Sequence, residues 1–233
     1  MTKTARVLLL FSILTVSFTQ STKAQNPDQM GAWYMYFFDT QFKESKFGLQ
    51  GDVQYRNWNI MGDLEQLLIR SGVTYRPKNT SVKLTLGYAH ITSGALGESD
   101  DTSVESRIYQ EALLPQKIGG RVYLTHRFRY EQRFVEDQDF RTRYRYNLFM
   151  NIPFNKKTFE KNTIYAALYN ELFINGQQDI GDDRTVEFFD RNRTYLGLGY
   201  VLNSKIKFQL GWMNQKTNAQ GKGQLQVSMH HKF

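Results

Sequence analysis

Residues 121–150 constrain the fold more than any other stretch, because they alternate strictly in character along two successive runs. In the first run Arg121, Tyr123, Thr125, Arg127, Arg129, Glu131 and Arg133 share one parity. Val122, Leu124, His126, Phe128, Tyr130, Gln132 and Phe134 share the other. In the second, Arg141, Arg143, Arg145 and Asn147 oppose Phe140, Tyr144, Tyr146, Leu148 and Met150, with Thr142 out of character. A period of two belongs to a strand, since a helix would scatter these arginines around its circumference. Each run is therefore predicted as a strand with one charged and one apolar face. The acidic connection 135–139 is short enough for an antiparallel hairpin.

The same alternation recurs in nine further segments: 33–42, 47–58, 64–75, 82–92, 105–114, 163–174, 188–202, 205–215 and 224–233. No convincing helix appears among them. Eleven strands are thus countable, but single-chain bacterial barrels use an even number. About twelve strands are expected on that rule, ten being the alternative, with the misreading placed in 25–64, where the faces of 33–42 are not clean.

The N-terminus carries Lys3 and Arg6, then an apolar run from Val7 to about Val16, then Thr22-Lys23-Ala24. This is the layout of a secretory signal peptide over residues 1–24, cleaved after Ala24. Gln25 in place of a cysteine argues against a lipoprotein, and a retained anchor is the alternative to cleavage. Removing this segment leaves 209 of the 233 residues and lowers the formal charge from +8 to +5. Residues 25–233 then form one domain. Without a cysteine, disulfides and thiolate metal sites are excluded, and no cofactor is implied.

Beyond the signal segment no apolar run is long enough for a membrane helix, and the mean hydropathy is −0.55. A barrel escapes that test because its lipid-facing and lumen-facing residues alternate and average out. Several segments reach ten residues or more, the length that crosses a bilayer at a tilt, whereas globular strands usually run to about five or six. Aromatics make up 15% of the chain. Tyr55, Trp58, Tyr75, Tyr88, Tyr200 and Trp212 are candidates for interfacial girdles.

The connections also sort by charge. One alternate set (93–104, 135–139, 175–186) is acidic, with Glu98, Asp100, Asp101, Glu136, Asp137, Asp139, Asp179, Asp182 and Asp183. The other (76–81, 115–120, 154–162, 203–204) holds Lys78, Lys117, Lys156, Lys157 and Lys161. Long outer loops and short inner turns are the habit of membrane barrels. The fold class read from the chain is all-β, a transmembrane antiparallel up-and-down β-barrel of the bacterial outer membrane. A secreted β-sandwich or lipocalin-like barrel is the soluble alternative.

Residues 126–134 (HRFRYEQRF), residues 189–200 (FDRNRTYLGLGY) and the terminal strand ending in Phe233 resemble a family of uncharacterised outer-membrane barrel proteins, a domain of unknown function in Gram-negative bacteria. The likeness implies the barrel and its location over nearly all of the mature chain. It implies no settled activity and transfers no catalytic residue. Phe233 closing an amphipathic strand also resembles the terminal signal read by the outer-membrane assembly machinery.

If the apolar faces meet lipid, the charged faces line a lumen. The candidate lining residues are Arg127, Arg129, Arg133, Arg141, Arg143, Arg145, Arg191 and Arg193, with Glu111, Glu131 and Glu171 as counter-charges. Pairing Phe134 with Phe140 sets Glu131 opposite Arg143, Arg129 opposite Arg145 and Arg133 opposite Arg141, and like charges so placed need neutralising. A similar register puts Glu171 between Arg145 and Arg191. Gly72, Gly87, Gly197, Gly199 and Gly211 would leave room for long arginines to lie down.

Two readings follow. In one, Arg–Glu networks pack a closed structural barrel. In the other, surplus arginine lines a narrow passive channel for small anionic solutes, as rings of basic residues do in anion pores. A third class, a barrel-wall lipid hydrolase, would use the outward His126 and Asn170, but no nucleophile motif accompanies them. His230 and His231 point to opposite faces of a strand and do not form a metal pair. The implied partners are membrane lipid, the assembly machinery and a small acidic solute. Arginines held inside a barrel are out of reach of nucleic acid, and a monomer is expected.

Overall fold

The computed structural model describes residues 29–97 and 99–233. The signal segment 1–24 and Glu98 lie outside the described residues. Eleven strands run in chain order: β1 (Gly31–Gln41), β2 (Phe47–Asn57), β3 (Leu64–Tyr75), β4 (Lys83–Gly94), β5 (Thr102–Ile118), β6 (Val122–Val135), β7 (Arg141–Pro153), β8 (Ile164–Asn175), β9 (Phe189–Val201), β10 (Ile206–Lys216) and β11 (Gly221–Lys232). Each pairs with its sequence neighbours and the sheet closes on itself. No helix occurs among the described residues.

The expectation of about twelve strands, or ten, is corrected to eleven. Segment 33–42 is a true strand, and none of the eleven segments was misread. The even-number rule misled because this barrel closes in a different way. With an odd count the first and last strands run in the same direction, so β1 and β11 pair in parallel from Gly31 opposite Gln224 to Asp39 opposite Lys232. All ten other ladders are antiparallel. The unclean faces of β1 come from what its inner face packs against. Its inward Trp33 belongs to an apolar cluster inside the barrel with Tyr165, Tyr195 and Met213, against which Met35 packs, so both faces of β1 read as apolar.

Burial alternates along the strands and fixes their orientation. In β4, Thr85, Ala89 and Ile91 are buried while Leu84, Leu86 and Tyr88 are exposed. In β6 and β7, Arg129, Glu131, Arg133, Arg141, Arg143 and Arg145 are buried while Phe128, Phe134 and Tyr144 are exposed. The outer wall is thus apolar and the interior polar, the reverse of a barrel folded around a hydrophobic core. A concavity of about 800 Å³ dents this outer wall, bordered by side chains such as Val73, Leu86, Phe128 and Leu172.

The connections at one end hold Asp100, Asp101, Glu136, Asp137, Asp139, Asp179, Asp182 and Asp183. Those at the other hold Lys43, Lys46, Lys78, Arg121, Lys156, Lys157, Lys161 and Lys205. They are called here the acidic and basic ends. Residues 176–188 fold back over the β6–β7 hairpin, where the Asp139 amide donates to the Ile180 carbonyl at 2.9 Å. Left-handed backbone in the turns falls largely on asparagine and aspartate, at Asn79, Asp137, Asn162, Asp182 and Asp183, whose short polar side chains tolerate it.

One connection is shorter than expected. Residues 115–118 continue β5, pairing Pro115 with Thr125 and Ile118 with Val122. The β4 ladder has already stopped at Lys83 opposite Leu113, so Pro115 lies where its missing N–H has no partner to serve.

Candidate functional site

The hairpin register is the one the alternation predicts: Arg133 opposite Arg141, Glu131 opposite Arg143, Arg129 opposite Arg145. Two like-charged rungs are tolerable only because carboxylates lie between them. Glu131, 1% exposed, accepts from Arg143 Nε and Nη2 at 2.9 and 2.6 Å and from Arg145 Nη1 at 2.5 Å. Arg129 Nη1 and Arg107 Nη1 stand 3.7 and 3.9 Å away. Four guanidinium groups therefore converge on one carboxylate.

The lattice spreads from there. Glu111 accepts from Arg129 at 2.5 and 2.8 Å. Glu171 takes Arg145 and Arg127, each at 2.6 Å. Glu105 takes Arg107 and Arg133 at 2.6 and 2.5 Å. Asp190 bridges Arg143 and Arg191 at 2.8 and 3.0 Å. Every one of these carboxylates is committed to guanidinium donors, which leaves none free as a general base. Aromatic rings add a second kind of support. Phe173 lies 4.4, 4.7 and 5.2 Å from the guanidinium carbons of Arg145, Arg193 and Arg143, distances at which the ring face attracts a cation.

The interior is spanned as well as lined. Gln50 on β2 donates to Glu111 on β5 at 2.9 Å. Tyr169 on β8 donates to Gln226 on β11 at 3.0 Å. Toward the basic end the filling becomes aromatic, with Phe159 from the β7–β8 turn meeting Tyr123 and Tyr165 edge-on at 4.8 and 5.0 Å.

Several expectations are revised. Glu171 faces Asn147 and Arg193 in register rather than Arg145 and Arg191. The β8–β9 ladder shifts only past that rung, between Phe173 and Ile174; Glu171 still reaches Arg145, at 2.6 Å, by leaning along its own face. Four of the five lumen glycines, Gly87, Gly197, Gly199 and Gly211, make room for tyrosine rather than arginine, and Gly72 lies against the backbone of Gly87. A Cβ at Gly199 would sit 2.0 Å from the Tyr165 ring, at Gly87 2.3 Å from that of Tyr109, and at Gly197 2.2 Å from the Tyr195 hydroxyl. Trp58 is no outer girdle residue, because it turns into the mouth at the acidic end. Glu105, Asp190 and Glu65 were missed as interior carboxylates. Glu105 shares the parity of Arg107 and Glu111 and was findable; Asp190 is adjacent to the β8–β9 irregularity and was not.

Of the eight lining arginines, six are buried and Arg127 nearly so, while Arg191, tied to the network through Asp190, is partly exposed at the acidic mouth. Arg141 is buried but has no carboxylate within 4.0 Å among the described residues, and its Nε lacks a hydrogen-bond partner. Arg56 and Arg193 also lack a carboxylate at that distance; they stack instead on Trp33, at 3.7 and 4.8 Å.

On the outer wall, His126 is bonded to the Tyr146 hydroxyl at 2.8 Å and to Gln116 Oε1 at 3.2 Å. Asn170 bonds Asn192 and Thr194, both at 2.9 Å. Among the described residues no serine hydroxyl bonds His126. His230 stacks on Phe37 at 4.7 Å and His231 bonds Tyr36 at 3.0 Å, on opposite faces of β11.

Fold and interior together define a class: closed β-barrels with an apolar wall and an arginine–carboxylate lumen. Within it, the chain belongs to the family described as "protein of unknown function (DUF2490)", which it matches over residues 30–226. It is similar to an uncharacterised protein of Methylorubrum extorquens, 31% identical over 186 residues, covering 76% of this chain and 77% of that one. No solved structure matches the chain.

Proposed function

We propose that the chain is an integral β-barrel of the bacterial outer membrane whose lumen is held shut by its arginine–carboxylate lattice. The observation that carries this reading is the inverted polarity of the wall. Phe128, Leu196, Leu198 and Leu210 stand about half-exposed or more while Glu131 and four arginines around it are buried. In water that arrangement would forgo the main driving force of folding; in hydrocarbon it satisfies both faces. Strand lengths of 11 to 17 residues support it, since about nine to eleven suffice to cross at a tilt. The signal-like sequence expected at residues 1–24 and Phe233, just past β11, fit delivery through the outer-membrane assembly machinery, with the acidic end outside and the basic end in the periplasm.

A second reading, a narrow passage for small anions, is favoured by the cation surplus at Arg56, Arg141 and Arg193. It requires the lattice to part. Carbonate extraction and planar-bilayer recording test the pair. The expected result is a protein that stays with the membrane pellet and gives silent bilayers. A chain that is monodisperse in detergent-free buffer would overturn the membrane assignment, and a steady anion-selective current would replace the closed lumen with the channel.

A further inference from the structure

Above the lattice, at the acidic end, the lumen opens into a cavity of about 270 Å³. Its walls come from opposite sides of the barrel. Arg191, Arg193, Gln215 and Lys222 stand on β9, β10 and β11, facing Gln66 and Ser93 on β3 and β4, with Trp58, Thr217 and Gln220 from the connections.

Lys222 is the unusual member. It is 5% exposed, yet its Nζ has no hydrogen-bond partner among the described residues. The ammonium rests 4.0 Å from the centre of the Trp58 ring and 3.9 Å from Glu65 Oε2. That oxygen is already shared by Trp33 Nε1 and Gln224 Nε2, both at 3.3 Å. A buried ammonium with three donors and no acceptor is costly unless something supplies one. Beside it, Arg193 is fixed by Gln215 at 2.8 Å and by its stack on Trp33, without a carboxylate. Arg191 shares its charge with Asp190. Three cations thus converge on a cavity whose single wall carboxylate is occupied, and the rest of the lining is amide and hydroxyl.

We propose that this cavity binds a small organic anion bearing one carboxylate or phosphate and several hydroxyls, a sugar acid or sugar phosphate. Lys222 and Arg193 hold the charge, and Ser93, Thr217, Gln215 and Gln220 meet the hydroxyls. The volume lies below the range of drug-sized sites, roughly 300–1,000 Å³, which limits the ligand to about one sugar ring. The inference deepens the reading of the lumen given above. It depends on the geometry of the mouth and not on where the barrel resides.

The test is a calorimetric titration of the full folded chain in detergent with glucuronate, glucose 6-phosphate, glucose and acetate. Saturable binding of glucuronate or glucose 6-phosphate is expected, at least tenfold tighter than glucose or acetate, and whichever binds more tightly identifies the anionic group. Lys222→Met should weaken that binding at least tenfold, and Lys222→Arg should restore most of it. Gln220→Ala, in an exposed connection where folding is not at stake, should weaken it several-fold. Equal binding of acetate would reduce the site to a charge trap, and equal binding of glucose would remove the anion. No binding of either sugar anion, or an undiminished Lys222→Met variant, would overturn the proposal. A silent bilayer with positive titrations leaves the site standing, and failed titrations beside a membrane-bound closed barrel leave the function reading standing.

Discussion

Replacing Glu131 by glutamine keeps the shape of the side chain and removes the charge on which four guanidinium groups converge. Two of them donate directly, Arg143 at 2.6 and 2.9 Å and Arg145 at 2.5 Å, and the other two stand at 3.7 and 3.9 Å. Even at an effective dielectric of about 20, each of the outer pairs carries roughly 4 kcal/mol of Coulomb attraction. Most of that is offset by desolvation, so the net figure must come from measured precedents. Removing one partner of a buried ion pair costs about 3–5 kcal/mol, because the remaining charge stays buried and uncompensated. Glu131→Gln is therefore expected to lower stability by about 3–5 kcal/mol. Asp182→Asn, which breaks the exposed pair to Arg184, should change it by no more than about 1 kcal/mol. Urea unfolding of the barrel refolded into vesicles, followed by the emission of Trp33, Trp58 and Trp212, reads both values. The same variant should give an anion-selective current in planar bilayers, since the four guanidiniums, still paired to Glu111, Glu171, Asp190 and Glu105, then share one negative charge fewer at their centre. A Glu131→Gln barrel within about 1 kcal/mol of the parent, with silent bilayers, would refute the reasoning, because the carboxylate would then hold nothing together.

Two further outcomes are expected. Leu196→Arg, placed among Leu168 and Trp212 on the outer wall, should destabilise the vesicle-folded barrel by up to about 2–4 kcal/mol; an unchanged urea midpoint would mean that water, not hydrocarbon, surrounds that strand. Gly199→Ala should cost about 1–3 kcal/mol by overpacking, since its methyl would meet the Tyr165 ring at 2.0 Å, and Tyr165→Leu should recover much of the loss in the same unfolding assay; an additive double variant would show that the contact is not what the glycine provides.

Much of the architecture was legible because a period of two leaves little choice. From Arg121 to Met150 each residue's face follows from its parity, and the hairpin register followed from placing Phe134 against Phe140, rings that lie 5.3 Å apart. What alternation cannot encode is any place where the ladder slips. The β8–β9 irregularity turned Asp190 inward, and the regular ladders put Glu171 on the rungs of Asn147 and Arg193, two residues from where loop spacing placed it. Trp58 lies in the connection just past the end of β2, next to the Arg56–Asn57 shift, and a girdle reading missed its inward turn. The candidate site was legible as a list of arginines. Its closure was not, because whether Arg143 meets water or Glu131 depends on how far side chains reach across a lumen of eleven strands. The even-number rule failed for a related reason: it is a habit of a class, and nothing in the periodicity of any single strand reports on which way the last one must run to meet the first.

That meeting has a topological consequence. Because Gly31 lies beside Gln224 while Asp39 lies beside Lys232, the chain enters the sheet at one rim and leaves it at the opposite rim. An epitope fused just before β1 and another fused just after β11 would therefore stand at opposite mouths of the barrel, where an even-stranded barrel would present both at the same mouth.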